Sequence, residues 1–266
     1  MRFAPNFTCA AWIIAIALIW SSAALAGAWT LPAGDTQIIS GVILSSADEM
    51  FDDSGHGTPT LFRKILVQSY AEHGLTDDLT LILEPEYAIA TVGSPNEATT
   101  HANDFAIKAG ARALLTNAFG VLSAEASYKS AGAFDMSVSA HHDSGQEIEF
   151  RLLYGTNFTF LHREGYFDAE IAERIIGGAR PNETPIDLAL GLKITKSVTI
   201  IGQSFNIISG GDAHPPFGYY RSHKLELGVL QRLWRSVYLE SGAYISPTGQ
   251  NSLVEHGAEA SLWVRF

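Results

Sequence analysis

The stretch EASLWVRF at residues 259–266 alternates between two kinds of side chain. Apolar residues occupy every second position: Ala260, Leu262, Val264 and Phe266. The positions between them are mostly polar: Glu259, Ser261, Trp263 and Arg265. Because successive side chains of a β-strand point to opposite faces, this stretch predicts a strand with one apolar and one mostly polar face.

The same alternation recurs along the chain from Asp35 onward, and few segments have a helical pattern. It is clearest at residues 105–113, 122–129, 147–154, 186–193 and 224–229. After residue 26 no apolar run approaches the length of about 18 residues that indicates a transmembrane helix. The pattern therefore predicts an all-β fold whose strands each have one apolar face.

The breaks between these stretches alternate in length. Short breaks are predicted at residues 74–78, 117–120, 156–157, 195–197 and 234–235. Long, turn-rich breaks are predicted near residues 47–59, 92–103, 131–145, 175–184, 209–219 and 246–252. Five short and six long connections join twelve strands. An even strand count with short turns at one end and long loops at the other is typical of transmembrane β-barrels.

Two regions leave the strand count open between ten and fourteen. Residues 158–174 place charge on both faces, which is compatible with a bulge or with a strand that projects beyond the bilayer. Residues 131–145 have room for a short extra strand or for loop alone. The prediction is one antiparallel up-and-down barrel of about twelve strands, whose apolar faces contact lipid.

The first 26 residues have the pattern of a secretory signal peptide. Arg2 is their only charged residue, residues 10–20 are an apolar core, and the small residues of Ala24-Leu25-Ala26 suit cleavage after Ala26. An apolar core of this length is short of the roughly 20 residues that a membrane-spanning helix needs, which disfavours an uncleaved anchor. We therefore predict a signal peptide at residues 1–26 and a barrel at residues 27–266.

The charge of the predicted mature chain limits its partners. Removing Arg2 makes the formal charge −12, one unit more negative than the −11 of the whole chain. An acidic chain of this kind is not expected to bind nucleic acid, which requires a basic surface. The single cysteine, Cys9, lies in the predicted signal peptide, so disulfides are not expected. We also expect no metal, cofactor or catalytic site.

The alternating residues Leu262, Val264 and Phe266 resemble the terminal signature by which the barrel-assembly machinery recognises outer-membrane proteins. Other stretches are similar to uncharacterised proteobacterial outer-membrane barrels, some of them porin-like and some associated with phenol degradation. These stretches are residues 28–32 (AWTLP), 51–55 (FDDSG), 72–77 (EHGLTD) followed by 79–81 (LTL), and, more weakly, 191–195 (GLKIT) followed by 198–200 (VTI). The resemblance implies a Gram-negative outer-membrane barrel that contacts membrane lipid, and it implies no catalytic residue.

If the apolar faces contact lipid, the opposite faces line the lumen. The acidic candidates for the lumen are Glu84, Glu86, Glu125, Glu147, Glu149, Asp187, Glu226, Glu240 and Glu259. The basic candidates are Lys108, Arg112, Lys129, Arg151, Lys193, Lys224 and Arg265. Such residues either form an interior network of ion pairs or line a narrow, weakly cation-preferring channel. Aromatic residues near strand ends are candidates for interfacial girdles: Tyr219, Tyr220, Trp234, Tyr238 and Trp263.

Three functions are compatible with this pattern. The favoured prediction is a porin-like channel for passive transport of small solutes. The alternative is a closed structural barrel whose outer loops bind a partner. A lipid-acting hydrolase would need a serine and a histidine in contact on the lipid-facing wall, for which Ser204 with His162 or His223 are candidates.

Overall fold

The computed structural model describes residues 27–93, 99–130, 145–211, 214 and 217–266. These residues form the strands β1 (Thr36–Phe51), β2 (Gly57–Thr76), β3 (Leu79–Gly93), β4 (Thr100–Thr116), β5 (Val121–Lys129), β6 (Glu147–Phe160), β7 (Arg163–Ile176), β8 (Glu183–Lys193), β9 (Val198–Ser209), β10 (Arg221–Trp234), β11 (Val237–Gln250), β12 (Ser252–Leu253) and β13 (His256–Arg265). None of the described residues belongs to a helix with the length and apolar character needed to cross a membrane.

The strands form one antiparallel sheet that closes on itself. From β1 to β11 each strand pairs with the next along the chain, β11 pairs with β13, and β13 pairs with β1. The two-residue β12 pairs with the end of β1, so the wall of the barrel has twelve strands. At the seam, the N–H of Thr36 donates to the carbonyl of Phe266 at 2.7 Å and the reverse bond is 3.0 Å. The predicted twelve-stranded up-and-down barrel is confirmed.

The connections have the predicted alternation of length. Strands are joined at one end by residues 77–78, 117–120, 161–162, 194–197 and 235–236. The connections at the other end are generally longer, and residues 131–144, where an extra strand was an open alternative, lie outside the described residues. We call the two ends the short-turn end and the long-loop end.

The turn predicted at residues 156–157 is wrong. β6 continues to Phe160, which pairs with Arg163 across a two-residue turn made by Leu161 and His162. The φ angles of these two residues are 48° and 62°. A pair of left-handed residues is the geometry of a type I′ turn, whose twist matches that of the flanking strands. The charges within residues 158–174 therefore belong to one uninterrupted hairpin, β6–β7.

The outer face of the wall is apolar. Large apolar side chains occupy alternate positions on neighbouring strands and are exposed, among them Val42, Leu44, Ile65, Val67, Leu81, Leu83, Phe105, Ile107, Ile148, Phe150, Leu225 and Leu227. Leu227 is 66 % exposed and Phe150 55 % exposed. A monomeric water-soluble protein rarely exposes so extensive an apolar surface, whereas a barrel in hydrocarbon requires one.

The residues of the predicted assembly signature and girdles divide between the two faces. Leu262 and Phe266 are exposed on the outer face, and Val264 shares their register. Tyr219 and Trp234 are also exposed. The girdle prediction is wrong for Tyr220 and Tyr238, because Tyr220 is buried and Tyr238 packs against a cluster inside the barrel. Trp263, which the alternation also points inward, is buried in that cluster.

Candidate functional site: the barrel lumen

The predicted lumenal residues share the inward register of their strands. These are Glu84, Glu86, Lys108, Arg112, Glu125, Lys129, Glu147, Glu149, Arg151, Asp187, Lys193, Lys224, Glu226, Glu240, Glu259 and Arg265. Two of them lie at the short-turn rim: Lys193 pairs with the exposed Glu164, and Arg265 pairs with Asp35. The other residues lie along the inner wall.

Arg112 is the centre of a buried ion-pair cluster near the short-turn end. Its guanidinium lies 2.8 Å from Glu72 and 2.9 Å from Glu125, and it also donates to the hydroxyl of Tyr70 at 2.8 Å. Because β3 separates the strands of Arg112 and Glu72, their contact must cross the concave inner face. The side chain of Arg112 is 3 % exposed, so water contributes little to stabilising its charge.

Arg151 is the centre of a second cluster. Its guanidinium lies 2.9 Å from Glu149 and 2.7 Å from Asp187, and it also forms an ion pair with Glu170. One cation therefore serves three carboxylates that come from β6, β7 and β8. This cluster is locally short of positive charge.

The wall formed by β6, β7 and β8 carries further ion pairs toward the long-loop end. Arg174 lies 2.8 Å from Glu149 and 2.7 Å from Glu183, and Arg180 lies 3.2 Å from Glu147 and 3.0 Å from Glu183. The hydroxyl of Tyr220 also donates to Glu183. These contacts connect the inner wall with residues 177–182 of the adjoining loop.

Two lysines on β4 and β5 pair with acidic residues of β3. The ammonium group of Lys108 lies 2.7 Å from Glu84, and that of Lys129 lies 2.8 Å from Glu86. Most charges on the inner faces of β3 to β8 are thus compensated by a neighbour.

Glu255 forms an ion-pair site at the long-loop end, between β12 and β13. Its carboxylate lies 2.6 Å from the ammonium group of Lys224 and 3.9 Å from that of Lys64, and it accepts a hydrogen bond from Tyr244 at 2.9 Å. Burial alone would raise the pKa of Glu255, but the two ammonium groups lower it to about 2. Glu255 is therefore a fully charged, paired group at neutral pH.

Glu226, Glu240 and Glu259 form a contrasting group, the acidic cluster, on β10, β11 and β13. The carboxyl groups of Glu226 and Glu259 contact each other. Glu240 accepts hydrogen bonds from the indole N–H of Trp263 at 3.0 Å and from Ser261 at 3.2 Å. Among the described residues, no lysine, arginine or histidine forms an ion pair with the acidic cluster.

Glu240 and Glu259 of the acidic cluster line a cavity of about 250 Å³ inside the barrel. Apolar and aromatic side chains line part of this cavity, including Ile39, Ile43, Tyr166, Ile201, Phe205 and Trp263. Its polar lining includes Gln68, Tyr70, Glu84, Gln203, Glu240 and Glu259. The cavity is therefore amphipathic, with carboxylates contributed by β3, β11 and β13.

Residues 27–35 precede β1 at the short-turn end, where residues 27–31 lie inside the barrel and residues 32–34 are exposed at its rim. The N–H of Ala28 donates to Asp168 on β7 at 2.9 Å, and its carbonyl accepts from Ser123 on β5 at 2.5 Å. Further along the segment, the N–H of Leu31 donates to Thr80 on β3 at 2.8 Å. The segment thus follows the inner wall from β7 to β3 before it enters β1.

Trp29 packs this segment against side chains of β7, β9, β10 and β13. Its ring meets that of Tyr166 edge to face, with 6.4 Å between the centroids. It packs against the buried cluster of Tyr166, Ile201, Leu230 and Trp263. A Cβ on Gly155 would lie 2.6 Å from the Trp29 ring, so the glycine makes room for the indole.

The sequence analysis missed several lumenal residues: Glu72, Asp168, Glu170, Arg174, Arg180, Glu183 and Glu255. Most of them lie in β7 or next to predicted breaks, where the alternation is hardest to follow. It also missed the position of residues 27–35. The available signal was that AWTLP is apolar but lacks the period-2 alternation of a lipid-facing strand.

The serine and histidine candidates for hydrolysis do not contact each other. Ser204, Asn206 and His223 lie side by side on the outward register of β9 and β10. The amide of Asn206 donates to Ser204 at 3.1 Å, and its carbonyl oxygen hydrogen-bonds with His223. Asn206 therefore separates the hydroxyl from the imidazole that would have to activate it. His162 lies in the turn between β6 and β7.

Comparison with solved structures finds several similar barrels. An outer membrane channel from Pseudomonas putida F1 has a TM-score of 0.68 and 13% identity, and the match covers 91% of this chain and 99% of that chain. The translocator domain of the autotransporter NalP from Neisseria meningitidis has a TM-score of 0.60 and 12% identity, over 89% and 90% of the two chains. The β domain of the Bordetella autotransporter Brka has a TM-score of 0.56 and 11% identity, over 88% and 100%.

No protein-family model matches the chain, and no curated protein matches it either. At such low identities, the likeness to the solved structures is one of fold. It supports a location in the outer membrane, so the protein is an outer-membrane β-barrel protein. In such barrels the short turns are periplasmic and the long loops extracellular, which puts residues 27–35 at the periplasmic end.

Proposed function

We propose that the protein is a narrow, weakly cation-preferring channel for the passive passage of small solutes across the outer membrane. The observation that carries this proposal is the cavity of about 250 Å³, which lies inside the barrel and is lined by Glu240 and Glu259 of the acidic cluster. Rings of acidic side chains favour cations in channels. The similar barrel from Pseudomonas putida F1 is an outer membrane channel, which supports the same proposal.

The preference for cations follows from the distribution of paired and unpaired charge. On β3 to β8 most lumenal carboxylates, with the exception of Asp168, have basic partners, so these pairs present little net field to a passing ion. Among the described residues the acidic cluster forms no direct ion pair, and Lys224, whose charge acts on Glu226, is paired with Glu255. Carboxyl groups in contact cannot all ionise without a nearby cation, so a cation that enters the cavity is stabilised there.

The narrowness of the channel follows from residues 27–35 and Trp29. They occupy part of the lumen at the periplasmic end and are held there by hydrogen bonds to β3, β5 and β7. A solute must therefore pass the constriction that this segment and Trp29 form with the inner wall. This geometry favours small solutes and slow flux over the free diffusion of a wide porin.

Planar-bilayer recording with a salt gradient tests the proposal. The wild-type protein should give discrete conductance steps and a reversal potential on the cation-selective side. The variant Glu226→Gln/Glu240→Gln/Glu259→Gln should conduct with a permeability ratio closer to one. Glu173→Gln is a matched control, because Glu173 is exposed on the outer register of β7 and its loss should leave selectivity unchanged.

A closed structural barrel is the second candidate. It is favoured by residues 27–35 and by the buried Arg112 cluster, both of which fill the periplasmic end of the lumen. Correctly folded protein that gives no conductance steps at any voltage would remove the channel proposal and favour this one. Partner binding by the extracellular loops would then be the function to investigate.

A further inference from the structure

Asp168 is a buried carboxylate that has no cationic side chain as a direct ion-pair partner among the described residues. It lies on the inner face of β7, is 3 % exposed, and accepts a hydrogen bond from the N–H of Ala28. Its carboxyl group also contacts that of Glu170, two residues along the same face. Within the part of the chain that the structure describes, no basic side chain forms an ion pair with Asp168.

The basic side chains near this pair are already shared. The charge of Arg112 acts on Asp168, but Arg112 forms ion pairs with Glu72 and Glu125. Arg151 contacts Glu170, but it also contacts Glu149 and Asp187. An uncompensated charge in a protein interior costs several kcal/mol, and two carboxyl groups in contact increase that cost. The Asp168–Glu170 pair therefore provides a site for one further cation.

Gly27 lies directly against Asp168. A Cβ on Gly27 would be 2.6 Å from Oδ2 of Asp168, and the φ angle of this glycine is +146°. Only glycine fits this position without displacement of the carboxylate or strain of the backbone. Gly27 is also the residue that follows Ala24-Leu25-Ala26, the predicted cleavage motif.

We infer that Asp168 and Glu170 form the binding site for the α-ammonium group that signal-peptide removal after Ala26 creates on Gly27. Cleavage at that bond turns a neutral peptide nitrogen into a cation next to the carboxyl pair. The new ion pair then fixes the first residue of the segment that crosses the lumen. Processing of the chain thereby completes the closure of the periplasmic end.

This assignment rests on cleavage after Ala26 and not on the proposed channel function. The ion pair holds residues 27–35 in place whether or not the lumen conducts. It also gives residues 27–35 a second anchor, since the other end of the segment continues into β1 through hydrogen bonds between residues 34–35 and Gly74.

The first measurement is the intact mass of protein purified from the outer membrane of a Gram-negative host. Expression uses the full chain with residues 1–26. The expected mass is that of residues 27–266, and a different first residue would overturn the assignment. Conductance does not enter this measurement, so its outcome is separate from that of the channel test.

The second measurement is the rate at which the α-amine of folded protein is acylated at neutral pH. An amine reacts only when it is neutral, and a free α-amine is partly neutral at this pH. The ion-paired amine should react at least about tenfold more slowly than that of the unfolded chain. Asp168→Asn should restore much of the rate, whereas Glu173→Gln, on the exposed outer face of the same strand, should not.

Equal rates in Asp168→Asn and wild-type protein, or a wild-type rate equal to that of the unfolded chain, would contradict the ion pair.

A third measurement leaves both carboxylates intact in case Asp168→Asn does not fold. Protein that begins at Gly27 is refolded with a free or an acetylated α-amine. Acetylation should speed hydrogen exchange at the N–H of Ala28 by about tenfold, and unchanged exchange would overturn the assignment.

Discussion

At the scale of the residue, the stability of the barrel depends on how each buried charge is compensated. Arg112 illustrates this, because its guanidinium contacts Glu72, Glu125 and the carbonyl of Trp29 while almost fully buried. Substitution of one partner in such a cluster leaves the others uncompensated, which costs about 3–5 kcal/mol. An exposed pair contributes no more than about 1 kcal/mol.

We therefore predict that Arg112→Met lowers the free energy of unfolding by about 3–5 kcal/mol. Arg63→Met is the matched control, because Arg63 is 48% exposed and pairs with an Asp48 that is 69% exposed. Its cost should stay below about 1 kcal/mol. Urea unfolding in lipid vesicles measures both, and similar losses in the two variants would contradict the role of the Arg112 cluster.

The sequence predicted individual lumenal residues better than it predicted their partners. The alternation placed Arg112 and Glu125 on the inner face because each lies within a regular strand. Glu72 was missed because it precedes a predicted turn, although β2 continues to Thr76. Which charges meet depends on register and curvature, and period-2 alternation fixes neither.

At the scale of the element, the turn between β6 and β7 is where the native sequence fits its conformation least well. Leu161 and His162 both have left-handed φ angles, and such a conformation costs a residue with a Cβ about 1–2 kcal/mol. Asn-Gly is the preferred pair for a type I′ turn. The β6–β7 turn thus carries strain that substitution can relieve.

We predict that Leu161→Asn/His162→Gly raises the free energy of unfolding by about 1 kcal/mol or more. The control is Arg235→Asn/Ser236→Gly in the turn between β10 and β11, where neither residue has a positive φ. The control should give no gain. A gain of equal size in both variants would show that flexibility, and not left-handed geometry, is responsible.

Residues 27–35 show the limit of sequence analysis for whole elements. The segment has no regular secondary structure and no alternation, so its sequence alone gives no position for it. Its place in the lumen depends on partners far along the chain, such as Thr80, Ser123 and Asp168. By contrast, the strands were predictable because lipid on one side and lumen on the other impose a strict period of two.

At the scale of the whole molecule, the closed barrel followed from two properties that the sequence displays directly. These are the alternation within strands and the alternation of short and long connections between them. Hydrocarbon tolerates no unpaired sheet edge, so such strands must close. The width of the lumen and the balance of its charges depend on three-dimensional contacts and were not predictable in the same way.

The central claim is that the inner face of this wall lines the path of ions while the outer face contacts lipid. Glu226 and Leu227 are adjacent on β10, and their side chains point to the inner and the outer face respectively. Because Cys9, the only cysteine of the sequence, lies outside the predicted mature chain, a cysteine introduced at either position is the only thiol of that chain. The most direct measurement is single-channel current in Glu226→Cys and Leu227→Cys proteins, before and after a water-soluble cationic thiol reagent. We predict a reduced current only in Glu226→Cys, whereas no effect in that variant, or equal reduction in both, would contradict the claim.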